Sequence, residues 1–148
     1  MALKKSKLTP KNLKTVLKFY YEEDIMHDAS FLSYLYNICN MNLKLLLRKI
    51  AGVSIYVDNR IVGCALATIN GVEAHVYNVI IKEEFRGRGF GKVIMSALVL
   101  SLFKEYNVER IFVDVFEDNI VAFRLYQNMG FTKEKTLFRL CLHNPIAS

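Results

Sequence analysis

Apolar positions recur every three or four residues in two early segments of the chain. Residues 11–21 place Leu13, Val16, Leu17 and Tyr20 at helical spacing, with Thr9 as a candidate N-cap and Pro10 at the first helical position. Residues 28–49 repeat the spacing with Phe31, Leu32, Leu35, Tyr36, Ile38 and Cys39, then Leu43, Leu46 and Leu47; a break is expected near Asn40–Asn42. Gly52 marks a change of texture. Residues 53–57, a turn at Asp58-Asn59-Arg60 and residues 61–69 predict a hairpin, and a second turn at Asn70-Gly71 introduces a β-branched stretch over 73–82. Residues 91–106 return to helical spacing through Ile94, Ala97, Leu98, Ser101 and Leu102. A strand is expected over 110–116. A helix capped by Asp118 or Asn119 then runs to Asn128, closed by Gly130 as its C′ residue with Phe131 behind it. One or two further strands fill 131–143.

The order is helices, three strands, helix, strand, helix, strand. It predicts an α/β (α+β) domain built on a mixed sheet and excludes a helical bundle and a pure β-barrel. A length of 148 residues fits a single domain over 1–148, and 53% hydrophobic content with 23% charged residues excludes a disordered chain. Residues 93–103, the most apolar stretch, are far short of a membrane span, and the lysine-bearing start lacks the apolar run of a secretory signal. Cys39, Cys64, Cys141, His27, His75 and His143 show no zinc-binding spacing, so reduced thiols in a cytoplasmic protein and no metal are expected.

The charge is uneven. Lys4, Lys5, Lys7, Lys11, Lys14 and Lys18 fall in the first 21 residues with no acid, and account for the whole net charge of +6. This basic start is either an anion-attracting arm or a solvated helix face with an exposed terminus. The acid run Glu22-Glu23-Asp24 follows at once; it suits a cationic substrate or a solvated helix end.

Residues 79–92, Val-Ile-Ile-Lys-Glu-Glu-Phe-Arg-Gly-Arg-Gly-Phe-Gly-Lys, run from a strand into a helix. Gly87, Gly89 and Gly91 let the backbone come close to a ligand. The first amides of the helix lack internal partners and carry the positive end of its dipole. With Arg86, Arg88 and Lys92 beside them, they describe a pyrophosphate cradle. The spacing G-x-G-x-G is not the dinucleotide fingerprint, and Val93 after Lys92 excludes a Walker A loop. Arg88-Gly89-Phe90-Gly91 partly resembles the RNA-recognition-motif octapeptide, but that octapeptide lies on a strand and its later aromatics are here Lys92 and Met95.

The run Arg86-Gly87-Arg88-Gly89-Phe90-Gly91 resembles more closely the acyl-CoA loop of the GCN5-related N-acetyltransferase (GNAT) superfamily, Gln/Arg-x-x-Gly-x-Gly/Ala. Asn119-x-x-Ala122-x-x-Leu125-Tyr126-x-x-x-Gly130-Phe131 resembles that family's second signature, in the right order about 30 residues downstream. The resemblance covers roughly residues 50–132. It implies a first strand, for which only residues 2–8 are available, and a central mixed sheet flanked by helices, whose strands 73–82 and 110–116 splay apart. It further implies acetyl-CoA (coenzyme A) as co-substrate. The acyl arm would lie against Val79, Ile80 and Ile81, and the pyrophosphate on Gly87 to Lys92.

Acetyl transfer to an amine needs a neutral amine, a polarised thioester carbonyl and help for the leaving thiolate. The resemblance implies Tyr126 as general acid toward the sulfur and the Ile81 N–H as oxyanion donor. Tyr126 lies seven residues after Asn119, on the same helix face, and core packing is its alternative role. Asn119 is a cofactor or water contact, or only an N-cap. For the base, Glu73, thirteen residues before Arg86, resembles the glutamate of histone-type members. Asp114, twelve before Tyr126, resembles that of ribosomal-protein-alanine acetyltransferases, one methylene shorter. His75 acting through water is a third candidate. The plain alternatives are surface charge for Glu73, an ion pair with Arg110 or Arg60 for Asp114, and a partly buried, satisfied His75.

The expected activity is direct transfer in a ternary complex, without a cysteine acyl carrier. The partners are acetyl-CoA and a primary amine on a small molecule, a protein N-terminus or a lysine. Residues 11–49, with Tyr20, Tyr21, Glu22, Glu23, Asp24, Phe31 and Tyr34, would wall the acceptor. A homodimer stays open; membrane is not expected and nucleic acid is the weaker partner. The rival readings are a catalytically silent acyl-CoA-binding module of the same fold, and an RNA-binding domain.

Overall fold

The computed structural model describes residues 2–22, 49–116, 118–134 and 139–146; of the side chains at 20–22, 77 and 78 nothing is said. Among the described residues the sheet has seven strands: β1 (Leu3–Lys7), β2 (Ile50–Val57), β3 (Arg60–Asn70), β4 (Glu73–Ile81), β5 (Arg110–Asp114), β6 (Thr132–Lys133) and β7 (Arg139–His143). They lie in the order β1-β2-β3-β4-β5-β7-β6. Every neighbouring pair is antiparallel except β4 and β5, which are parallel. Three helices are described: α1 (Leu13–Glu22), α2 (Phe90–Glu105) and α3 (Ile120–Asn128). The helix expected over 28–49 falls outside the described residues but for its last residue.

Local chemistry explains the joints. Asp58 and Asn59 both take positive φ, 48° and 65°, which suits the two-residue turn matched to the twist of a hairpin. Gly71, at φ 61°, opens the next turn, into β4. At the end of α3, Gly130 has φ 94°, its N–H donates to Gln127 O, and the Phe131 N–H donates to Tyr126 O. That is a Schellman closure, and its apolar contact is the Tyr126–Phe131 pair at 5.6 Å between ring centroids. Thr9 does not begin α1 as an N-cap. Residues 10–12 form a turn, Asn12 Oδ1 accepts from the Thr9 N–H, and the helix starts at Leu13.

The two faces of the sheet are covered differently. Ile94, Met95, Leu98 and Leu102 of α2 are fully buried against β2 to β5, with Tyr126 and Phe131 beside them. Each such side chain contributes roughly 1.5–3 kcal/mol by leaving water. On the other face, Leu13, Val16 and Phe19 of α1 cover Ile50, Cys64, Leu66 and Ile80. The lysine-rich start is not a free arm. Lys4, Lys5 and Lys7 lie in β1, the edge strand, where charge discourages pairing with another sheet, and Lys7 pairs with Glu105 of α2. Among the described residues, no helix is long and apolar enough to cross a membrane.

Candidate active site

β4 and β5 pair only over 73–76 and 110–113. Beyond Val76, β4 runs on to Ile81 with β3 alone beside it, so a gap opens where β5 leaves. A register shift helps to open it: residues 77 and 78 stand together opposite Leu66, between the pairs Ala65–Val79 and Ala67–Val76. The Lys82 N–H donates to Val62 O at 2.9 Å, which sets the ladder's alternation. Lys82 and Ile80 therefore turn their main chain toward β3, whereas Val79 and Ile81 turn theirs into the gap. Ile80 is thus no lining residue: its side chain is buried under α1.

The loop at the end of β4 arranges the glycine motif. Residues 83–85 make one 3₁₀ turn, and Gly87 and Gly89 follow at φ 73° and 82°. A Cβ built on either meets no atom within 4 Å, so the space above the loop is open. Gly89 is the N-cap of α2 and offers no side chain to the first-turn amides. Gly91 instead faces Leu125 of α3, which a Cβ there would meet at 3.5 Å.

The side chains of the motif divide their tasks. Arg86 does not reach over the loop; its Nε donates to Ile81 O at 3.0 Å and so holds the end of β4. Arg88 lies over the Phe85 ring, 5.2 Å from its centroid, and Phe85 packs on the buried Phe90. Lys92 is exposed on the first turn of α2. These groups fit a diphosphate: open space over positive-φ glycines, uncapped helix amides, and cations at the rim.

Tyr126 projects from α3 into the core around α2 and is 5% exposed. Burial pushes its phenol up to about 12, so it stays protonated at neutral pH. Asn119 caps α3, its Oδ1 accepting from the Ala122 N–H at 3.2 Å.

The carboxylates expected as bases are not equally placed. Glu73 pairs with Arg110 at the far end of β4, six residues before Val79, or roughly 20 Å along an extended strand. Asp114 ends β5 beside the gap. Its partner is neither Arg110 nor Arg60 but Arg139 of β7, whose Nε and Nη2 reach its two oxygens at 2.9 and 3.3 Å. His75 brings Nε2 within 3.7 Å of Asp114 Oδ2 and packs on Phe112. Burial, then the Arg139 charge, lower the His75 pKa from its ordinary value, which leaves the imidazole neutral near pH 7. Arg139 is the residue that local spacing cannot find: it lies 25 positions from Asp114, and only the β5–β7 pairing joins them. Cys141 has its thiol pushed up to about 11, chiefly by burial, which makes it a poor acyl carrier.

The model of the acetyltransferase (GNAT) family matches residues 14–131. The spermine/spermidine N(1)-acetyltransferase of Bacillus subtilis is 45% identical over 51 residues, 34% of either chain. The ribosomal protein bS18-alanine N-acetyltransferase of Haemophilus influenzae is 34% identical over 76 residues, 51% of either chain. The matched part thus spans a third to a half of these relatives' length. Among solved structures, the PaiA N-acetyltransferase of Thermoplasma acidophilum in complex with coenzyme A superposes with a TM-score of 0.67 at 18% identity, covering 97% of this chain and all of that one.

Proposed function

Because the chain belongs to the acetyltransferase (GNAT) family, we propose that it is an acetyl-CoA-dependent N-acetyltransferase passing the acetyl group directly to a primary amine. One observation carries this reading: the parting of β4 from β5 turns the Val79 and Ile81 main chain into a gap that ends at the Gly87–Gly91 loop. An extended thioester arm can add there as a strand would, with its diphosphate on the loop.

Acetyl-CoA, when bound, supplies the acetyl group and a sulfur leaving group. The Ile81 N–H faces the gap and is the donor for the carbonyl oxygen as it gains charge. Arg86 keeps that donor in place through the Ile81 carbonyl. Tyr126 offers a phenolic hydrogen bond to the sulfur. Full proton transfer is another matter: from a phenol at about 12 to a thiolate of pKa about 8.5 it is uphill by roughly 5 kcal/mol. Tyr126 therefore acts as a hydrogen-bond donor: the ammonium gives one proton to the base before attack, and the second, released as the C–N bond forms and the C–S bond breaks, leaves with the thiol.

His75, neutral and steered by Asp114, is the better base, reaching the amine through water; an aspartate held by two bonds to Arg139 is a weak one. The relatives' names favour an amine on a polyamine or a protein N-terminus as the acceptor. The buried, reduced thiol of Cys141 favours the cytosol.

Turnover tests the whole reading. Acetyl-CoA should release free thiol only when a suitable amine from a panel of polyamines, lysine and N-terminal peptides is added. Stabilisation by acetyl-CoA with no thiol release across that panel would leave a binding module instead. The base is tested by pH. His75 must be neutral to act and its pKa is lowered, so the acidic limb of kcat/KM should fall below pH 6.5. His75→Gln should remove that limb and Glu73→Gln should keep it. If Asp114→Asn removes it while His75→Gln does not, the roles are reversed.

A further inference from the structure

Away from the gap, at the far side of the sheet from β1, three side chains of different chemistry converge. Cys141 and His143 alternate along β7 and so share one face, and Sγ lies 3.7 Å from His143 Nε2. Glu134 follows β6, bonded through its N–H to Arg139 O at 2.8 Å, which sets it one diagonal step from Cys141. A carboxylate oxygen, the sulfur and the imidazole nitrogen all lie within 4.8 Å of one another. We propose that Glu134, Cys141 and His143 form a binding site for a borderline-soft divalent cation of the Zn²⁺ type, with one position left open.

The distances suit that ion. Bonds of about 2.0–2.3 Å in a tetrahedron put neighbouring ligand atoms roughly 3.3–3.8 Å apart. The sulfur and imidazole are already at that spacing, and the flexible Glu134 side chain has about 1 Å to close. The ligand set selects the ion: a thiolate and an imidazole favour Zn²⁺ over Mg²⁺ or Ca²⁺, which prefer all-oxygen shells. Burial and Glu134 keep the proton on Cys141, and a bound cation displaces it, as it does at any coordinating thiol. The nearest guanidinium groups, Arg110 and Arg139, are engaged by Glu73 and Asp114. The site uses none of the residues assigned to acetyl transfer, so it stands or falls independently of that activity. It gives a second role to β6, a two-residue edge strand with little of its own to hold it in place.

Titration of the metal-free protein with Zn²⁺ by calorimetry, and with Co²⁺ by absorption, tests it. One ion per chain is expected, with a thiolate-to-cobalt charge-transfer band in the near ultraviolet and no competition from Mg²⁺. Cys141→Ser should abolish the band. Because Cys141 is buried and its replacement also bears on the fold, the exposed His143 supplies a second test. His143→Ala should weaken Co²⁺ binding at least tenfold, the lower end of what even an outer-shell change costs about 10–100-fold in affinity. A wild-type protein that binds neither ion, a cobalt spectrum without the thiolate band, or unchanged affinity in His143→Ala would each overturn the site.

Discussion

Gly89→Asp should weaken acetyl-CoA binding by more than about 100-fold, near 3 kcal/mol, while the protein stays folded. Two effects act at this position, and they can be separated. The first is strain: φ is 82°, and a side chain there meets empty space rather than protein, so only the backbone objects. For aspartate or asparagine, which tolerate this region, the loss is on the order of 1 kcal/mol, or about 2–4 °C in Tm for a chain of this size. The second is charge. The new carboxylate would stand at the N-cap of α2, where the diphosphate is proposed to sit, and like charges brought together cost several kcal/mol. Gly89→Asn shares the strain and the size but not the charge. It should keep acetyl-CoA within about tenfold of the wild type, since its strain of about 1 kcal/mol falls on the fold and no like charge meets the diphosphate. Calorimetric affinities that fall equally in both variants would show that main-chain shape, not anion binding, matters here. Unchanged affinities in both would remove the diphosphate from this loop altogether.

The second large effect is a split between rate and stability at Tyr126. Tyr126→Phe keeps the ring against Phe131 and removes only the hydroxyl, to which no described side chain is hydrogen-bonded. Stability should therefore hardly change. Turnover should drop by roughly 10–100-fold, the range of one charge-assisted hydrogen bond of about 1.5–3 kcal/mol. The affinity for acetyl-CoA should stay near normal. Tyr126→Ala, by contrast, empties a site that is 5% exposed and should cost about 3–5 kcal/mol of stability. A rate for Tyr126→Phe equal to the wild type at every pH would reduce Tyr126 to the packing partner of Phe131.

The local chemistry of the chain is legible in its sequence. The Asp58-Asn59 hairpin, the Gly130 closure of α3 and the N-cap at Asn119 each depend on backbone preferences a few residues wide, and each is found where the pattern puts it. The same holds for the passage from β4 through Gly87 and Gly89 into α2, because left-handed backbone selects glycine one residue at a time. The basic start is less legible: three lysines within five residues look like a solvated arm, and only pairing with β2 makes them an edge strand.

The carboxylates show the limit most clearly. Glu73, Asp114 and His75 have similar claims along the chain. Strand order then gives Glu73 to Arg110 across the β4–β5 pair, gives Asp114 to Arg139 across β5–β7, and leaves His75 beside Asp114. Arg86 likewise turns from a phosphate ligand into the brace of Ile81. Residue type and spacing determine which elements form and where the chain can bend. Which charged groups meet depends on register between strands distant in sequence, set by burying two apolar faces at once, and no window of a few residues contains that information.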